Sequence, residues 1–228
     1  MIINTKERKS YFFIHIPRTS GTHLEIKFLT EYFKADCKIP YNKNYNPLFA
    51  LGQYKDNNDY WHSATHFTHN EIITLENELS LNIDKIFTIV RNPIDRAASL
   101  YRHWNFKSIT NFLDYLSNIN VKNKNYIGIK CNNFEPYKNI EQRVHLFLSQ
   151  YSYIYPLDNI EIFKITEINK IKKIFDIPMM YWHWRQNKNR LENLELFNKD
   201  TVDKIYQIYE EDFDAFKYTK EYTETSAF

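Results

Sequence analysis

Short apolar runs alternate along the chain with segments of helical periodicity. The runs are YFFIHI at 11–16, IFTIV at 86–90 and IEIFKI at 160–165. The first two are almost continuously β-branched or aromatic, which is typical of strands buried on both faces of a parallel sheet. A segment with apolar residues at helical spacing follows each run. Strand then helix, three times over, predicts an α/β fold with a mainly parallel central sheet flanked by helices.

Cap and turn residues mark where the predicted helices begin. The first helix is expected over 22–35, and Pro93 suits the first turn of the second. Thr166 is placed to cap the third helix, and Asp200 to cap a fourth near the end of the sequence. The apolar face of the fourth helix consists of Val202, Ile205, Tyr206 and Tyr209. We interpret that helix as a packing element.

Length and composition favour one domain spanning residues 1–228. A chain of 228 residues with 43% hydrophobic residues can bury a sizeable core. Two stretches near 36–60 and 118–139 are rich in Asn, Lys and Tyr and show no clear period, so we expect irregular excursions there. Such excursions are either loops that shape a substrate cleft or disordered segments.

Charge and cysteine content exclude several classes of protein. Thirty Lys and Arg residues oppose 28 Asp and Glu residues, and the basic residues are scattered. This argues against general nucleic-acid binding but leaves room for a local anion site. Cys37 and Cys131 form no CxxC pattern, which favours a reducing compartment without a disulfide framework or zinc site. With no signal-like or bilayer-length apolar run, we expect a soluble, cytoplasmic protein.

The sequence PRTSGT at 17–22 joins the first apolar run to its helix and has the parts of an anion-binding loop. A glycine permits a tight turn, and free amides at a helix N-terminus favour an anion. The candidate ligands, through amides, hydroxyls or a cationic side chain, are Arg18, Thr19, Ser20, Gly21, Thr22 and His23. The loop lacks the lysine of GxxxxGK[ST]. An ordinary strand-to-helix turn is the alternative.

A second candidate anion site lies in IFTIVRNPIDRAASLYRHW at 86–104. Arg91 follows the strand, and Ser99 lies about two turns along the next helix, so both could hold one phosphate at the carboxyl edge of the sheet. The simpler alternative is that Asp95 pairs with Arg96 or Arg102 on the helix surface.

Together the two stretches resemble sulfotransferases that use 3′-phosphoadenosine-5′-phosphosulfate, especially the carbohydrate type related to heparan sulfate 2-O-sulfotransferases. The family's Pro-Lys-Thr-Gly-Gly-Thr loop corresponds to residues 17–22, and its Val-Arg-Asp-Pro…Arg…Ser-Leu-Tyr motif to residues 90–101. A closing Tyr-x-x-Asp-Phe-x-x-Phe pattern at 209–216 extends the likeness over most of the chain.

The resemblance implies a three-layer fold like that of P-loop nucleotide-binding proteins and a sulfuryl donor bound without an obligatory metal. It assigns the 3′-phosphate to Arg91 and Ser99 and the phosphosulfate to the loop, and it implies that the sulfuryl group is transferred to a hydroxyl acceptor, with a saccharide as the expected class. Arg18 replaces the family's catalytic lysine, and Ser20 replaces a glycine. Both a divergent active enzyme and a donor-binding relic remain open.

The candidate general bases lie in YWHSATHFTHNE at 60–71. In the related enzymes a histidine upstream of the Val-Arg-Asp-Pro motif is the base, which favours His66 first and His62 second. A metal site using these residues and His69 is disfavoured because the glutamate of HExxH is missing. Partly buried histidines without a catalytic role are the remaining alternative.

A late basic segment, YWHWRQNKNR at 181–190, resembles the family's loop that closes over the nucleotide. Arg185 or Lys188 would then contact a phosphate, whereas a tryptophan-rich packing patch is the alternative. Two other functions are carried with the sulfotransferase hypothesis. They are a P-loop kinase, which the missing lysine disfavours, and a non-catalytic nucleotide-binding module.

Overall fold

The computed structural model of the protein describes residues 2–4, 10–21, 24, 53–55, 61–63, 83–122, 146–156, 158–174 and 197–220. The strands are β1 (Ile2–Asn4), β2 (Ser10–Ile14), β3 (Gln53–Lys55), β4 (Trp61–Ser63), β5 (Lys85–Val90) and β6 (Ile160–Lys164). The helices are α1 (Pro93–His103), α2 (Ile109–Lys122), α3 (Tyr151–Ile154), α4 (Ile168–Ile174), α5 (Lys199–Ile208) and α6 (Glu210–Phe216).

Within the described ranges, the main sheet has the strand order β1-β2-β5-β6. β2, β5 and β6 run parallel, and β1 pairs antiparallel with β2 at the edge. The predicted α/β class and mainly parallel sheet are therefore confirmed. Ile14 lies opposite Thr88, and Val90 lies opposite Lys164, so the three parallel strands end at the same edge. β3 and β4 form a separate antiparallel pair.

Alternate residues of the central strands enter two hydrophobic cores, one on each face of the sheet. Phe12, Ile86 and Val90 belong to a core shared with α1, α2, α5 and α6. Phe13 and Phe87 belong to a core that includes Leu24 and residues of α4. All of Ile86–Val90 is buried, as the continuous apolar run predicts. Burial on both faces fixes the register of β5, since a shift by one residue would exchange the two faces.

Two predicted helix caps are wrong by one or two residues. Asn198 caps α5, because its Oδ1 accepts the amide of Thr201 at 3.0 Å, and Asp200 lies inside the first turn. Thr166 lies within a 3-10 turn over Ile165–Glu167 that precedes α4. The neighbouring Glu167 carboxylate instead accepts the Lys164 amide at 2.9 Å. Pro93 occupies the first turn of α1 as expected.

The expected irregular stretches contain some regular structure. β3 lies within 36–60, and α2 continues through 118–122, so the first five residues of the second stretch are helical. The rest of both stretches lies outside the described residues, as does most of the helix expected over 22–35. In the part of the chain that is described, no helix is both long and apolar enough to cross a membrane.

Candidate anion-binding site

The loop after β2 has the predicted strand, turn and helix arrangement. Residues 17–20 form the turn, Gly21 and Leu24 are helical, and the Leu24 amide donates to the Ser20 carbonyl at 3.2 Å. Arg18 and Ser20 have φ angles of 67° and 73°. The left-handed region costs a residue with a Cβ roughly 1–2 kcal/mol. Strained backbone of this kind concentrates at functional sites, where the surrounding structure maintains it.

Gly21 is required by a close contact with His15, whereas the sequence analysis assigned the glycine to the tight turn. The turn is made by Arg18 and Ser20, whereas Gly21 is required by the close approach of a side chain. A Cβ at Gly21 would lie 2.0 Å from Cδ2 of His15. The His15 ring is buried and stacks on Phe13 with centroids 6.0 Å apart. The glycine therefore lets the loop pack directly on a core histidine.

Thr19 stabilises the loop from within. Its side chain is fully buried, and its hydroxyl donates to the carbonyl of Ile16 at 2.8 Å. A threonine hydroxyl has one proton, so this bond commits it. The hydroxyl proton is therefore engaged within the loop in this structure, and the assignment of Thr19 to the anion stays a prediction.

Side chains from the two predicted anion motifs meet. Arg18 Nε donates to Oγ of Ser99 at 3.0 Å, across 81 positions of sequence. Arg18 Nη1 lies 3.5 Å from Nδ1 of His103, which is one turn further along α1 than Ser99. Ser99 is almost completely buried, while Arg18 keeps contact with solvent. The sheet edge thus brings the loop arginine onto the helix that carries the second motif.

Positive charge accumulates around this contact. Burial of the guanidinium lowers the pKa of Arg18 to about 10, and the charges of Arg91, Arg102 and Arg96 lower it further in the same direction. At neutral pH the group remains protonated, so the other three guanidinium groups repel that of Arg18. We call Arg18, Arg91, Arg96 and Arg102 the arginine cluster. An anion bound beside it would relieve the repulsion.

Arg91 is anchored through its backbone. Its amide donates to Oε1 of Gln150 at 2.9 Å, and its carbonyl accepts from Nε2 of the same residue at 2.8 Å. These two bonds fix the main chain where β5 ends. The position of Arg91 is therefore set independently of whatever its side chain binds.

A buried carboxylate holds Gln150 in turn. Asp212 of α6 accepts the amides of Gln150 and Tyr151 at 2.9 and 2.8 Å, and Nε2 of Gln150 at 3.3 Å. Burial raises the pKa of Asp212, whereas Arg96 and these N–H groups act in the opposite direction. The C-terminal part of the chain, predicted as packing alone, therefore also supports the position of Arg91 through hydrogen bonds.

Arg96 links two distant parts of the chain through buried hydrogen bonds. It is fully buried, so the surface pairing suggested for it from the sequence is wrong. Its guanidinium donates to the carbonyls of Pro17, Leu148 and Leu146 at 2.9, 2.9 and 3.0 Å. The same group lies 5.8 Å from the ring centroid of Tyr209. One side chain thereby ties the anion loop to residues 146–148.

Tyr218 lies where β5 and β6 end. Its hydroxyl donates to the carbonyl of Val90 at 3.2 Å, and Lys164 Nζ lies 4.6 Å from its ring centroid. Burial raises the pKa of the Tyr218 phenol, and the charges of Asp95 and Asp212 raise it further. The hydroxyl therefore remains a neutral donor at physiological pH.

Several predicted site residues lie outside the described residues. They are Thr22, His23, His66, His69, Arg185 and Lys188. His62 lies in β4 opposite Tyr54, and only its backbone is described. The assignments of these residues stay predictions. Across the ranges that are described, no group of three or more His, Cys, Asp or Glu side chains is placed to hold a metal ion.

Four residues were not predicted to belong to the site. They are Arg102, His103, Gln150 and Asp212. Spacing could have revealed the first two, because positions 102 and 103 lie three and four residues after Ser99 and share its side of a helix. Gln150 and Asp212 contact the site only through tertiary structure.

Comparison with known proteins gives no assignment: no family model matches the chain, and neither a curated protein nor a solved structure is significantly similar to it. The interpretation of the site therefore depends on its residues and their geometry.

We predict that Gly21→Ala lowers the free energy of unfolding by about 1–3 kcal/mol, because the new Cβ would overlap the buried His15 ring. Urea denaturation measures the change. In a His15→Ala background the same substitution should be much less destabilising, since the colliding ring is gone. Equal destabilisation in both backgrounds would show that the contact is not the cause.

Arg96→Met should lower the free energy of unfolding by about 3 kcal/mol, because three carbonyls lose a charged donor. Arg96→Lys keeps the charge but not the planar fork, so it should restore only part of the loss. Thermal and urea unfolding report both values. A lysine variant as stable as the wild type would contradict the role of the three directed bonds.

Proposed function

We propose that the protein is a sulfotransferase that moves a sulfuryl group from 3′-phosphoadenosine-5′-phosphosulfate to a hydroxyl, most simply one of a saccharide. One observation carries the proposal: Arg18 of the loop contacts Ser99 of α1. By resemblance these residues belong to the motifs for the two ends of one bisphosphorylated nucleotide. A three-layer fold like that of P-loop proteins is part of the same proposal.

Position and charge support a nucleotide at this edge. Ligands of open α/β sheets collect at the carboxyl ends of parallel strands, and the loop and Arg91 follow β2 and β5. The arginine cluster supplies cations that suit phosphate, and a helix begins at Gly21. The two cores keep both strand ends fixed relative to each other.

The proposed reaction is an in-line displacement at sulfur. The acceptor oxygen forms a bond to sulfur as the bond between sulfur and the bridging phosphate oxygen breaks. His66, or His62 in second place, takes the acceptor proton, and the loop stabilises the negative charge that develops on the departing bisphosphate. No redox change occurs, and no metal is needed for this balance.

A non-catalytic nucleotide-binding module is the second candidate. Arg18 favours it, because the residue in place of the family's lysine is engaged on Ser99. A P-loop kinase is less well supported, because Thr22 and His23 follow Gly21 where a kinase loop has lysine and a magnesium-binding hydroxyl. Donor binding is shared by the first two candidates, and sulfuryl transfer distinguishes them.

Calorimetry should show that the protein binds 3′,5′-adenosine bisphosphate more tightly than AMP or ATP. Arg91→Ala should weaken bisphosphate binding at least about tenfold, because it removes a charge-assisted contact while the backbone bonds to Gln150 remain. Lys85→Ala, at the opposite end of β5, is the matched charge control and should bind normally. Equal or absent bisphosphate binding would refute the proposal.

His66→Ala should reduce sulfuryl transfer by about 10²–10⁴-fold while donor affinity stays unchanged, since a base acts on the acceptor only. Release of the bisphosphate is followed with a panel of saccharide acceptors, and His62→Ala is measured alongside. Loss of turnover in the His62 variant alone would move the role of base to that residue. Donor binding without turnover on any acceptor would favour the non-catalytic module.

A further inference from the structure

We infer that Arg18 is a specificity-determining residue for the second phosphate of the nucleotide, the one bound by Ser99, and does not act on the leaving group. The inference rests on the proposed function and refines it. From its position in the loop alone, Arg18 would be assigned to the transferred sulfuryl group. Its contact with Ser99 gives it a different role.

The reach of the side chain is the first step. Arg18 starts from the loop after β2, yet Nε lies 3.0 Å from Ser99 Oγ and Nη1 lies 3.5 Å from His103 Nδ1. Both contacts are on α1, the helix of the second motif. The guanidinium plane is therefore laid against that helix, and its charge is displaced toward the phosphate site there.

The hydrogen-bond roles at Ser99 are the second step. Its hydroxyl accepts from Arg18 Nε, so its own proton stays available for donation to another acceptor. An anion oxygen that accepts this proton would lie beside the remaining N–H groups of Arg18. A guanidinium has five donors in a rigid fork, which suits joint binding of one phosphate with a neighbouring hydroxyl.

The surrounding charge is the third step. The charges of Arg91 and Arg102 act on Arg18, whose Nε contacts Ser99, so the positive potential at this contact exceeds that of Arg18 alone. A phosphate monoester bound beside Ser99 carries about −1.5 to −2 charges at neutral pH and would offset part of this positive charge. A nucleotide that carries the second phosphate places this negative charge beside Ser99 and Arg18, whereas one that lacks it does not, so the contact distinguishes the two ligands.

Lysine at position 18 would act differently. Its ammonium is a compact point charge without a lateral Nε–H, so it could not contact Ser99 and a phosphate oxygen through separate donors in one plane. The arginine therefore moves the charge of the loop from the transferred group to the phosphate that identifies the nucleotide. Charge on the leaving group is left to the loop amides.

The test is calorimetry on the full chain with 3′,5′-adenosine bisphosphate and 5′-AMP, which differ only in the second phosphate. The measured quantity is the dissociation constant of 5′-AMP divided by that of the bisphosphate, so a larger ratio means a stronger preference for the bisphosphate. In Arg18→Ala the ratio should fall at least about tenfold, with AMP affinity unchanged within about twofold. Arg18→Lys should give an intermediate ratio, and Lys85→Ala the wild-type ratio.

A double-variant cycle sharpens the test. If Arg18 and Ser99 hold one phosphate, Arg18→Ala and Ser99→Ala should be non-additive, and the double variant should lose less than the product of the two fold-changes. Circular dichroism verifies folding, and Arg18→Lys keeps the test informative should Arg18→Ala unfold.

The outcomes separate the two proposals. If wild-type protein prefers the bisphosphate and Arg18→Ala weakens both ligands equally, Arg18 acts at the 5′ side, so this inference is wrong while the proposed function stands. If wild-type protein shows no preference for the bisphosphate, both proposals are refuted. A loss confined to the bisphosphate supports both.

Discussion

One buried guanidinium holds together the parts of the molecule on which the site depends. Arg96 donates to the carbonyl of Pro17 in the anion loop and to two carbonyls in residues 146–148. Each of these backbone carbonyls would be costly to bury without a hydrogen-bond donor. By satisfying three of them, a charged side chain makes the loop part of the core. The strain at Arg18 and Ser20 is tolerated because the surroundings of the loop are fixed in this way.

A second series of hydrogen bonds fixes the end of the neighbouring strand, β5. Asp212 holds Gln150, and Gln150 holds both backbone groups of Arg91. Tyr218 adds a bond to the carbonyl of Val90, one residue earlier. The backbone at this strand end is thus positioned by buried hydrogen bonds from residues distant in sequence. Support of this kind is what a preorganised anion site would require.

The sequence pattern predicted the scaffold well and the polar network poorly. Continuous apolar runs identified the parallel strands, because burial on both faces leaves a signal within a few consecutive residues. The same runs located Arg91, which directly follows β5, and Arg18, which lies in the turn after β2. The burial of Arg96 was not predicted, and the surface pairing considered for it is wrong, because an arginine in a helix gives no local sign that three carbonyls surround it. Its burial depends on Pro17 and residues 146–148, which are far away in sequence. Gly21 was assigned to the turn for a similar reason, since the collision with His15 exists only in three dimensions.

The hydrogen-bond network also determines when, during synthesis of the chain, the candidate site can be completed. Both anion motifs lie in the first half of the chain, at 17–22 and 90–101, but the groups that fix them include Gln150, Asp212 and Tyr218. Because synthesis runs from the N-terminus, a nascent chain exposes the loop and the arginine cluster long before their supports exist. The candidate site is therefore completed late, because Asp212 of α6 can hold Gln150 and Tyr151 only after α6 has been synthesised and has packed against them.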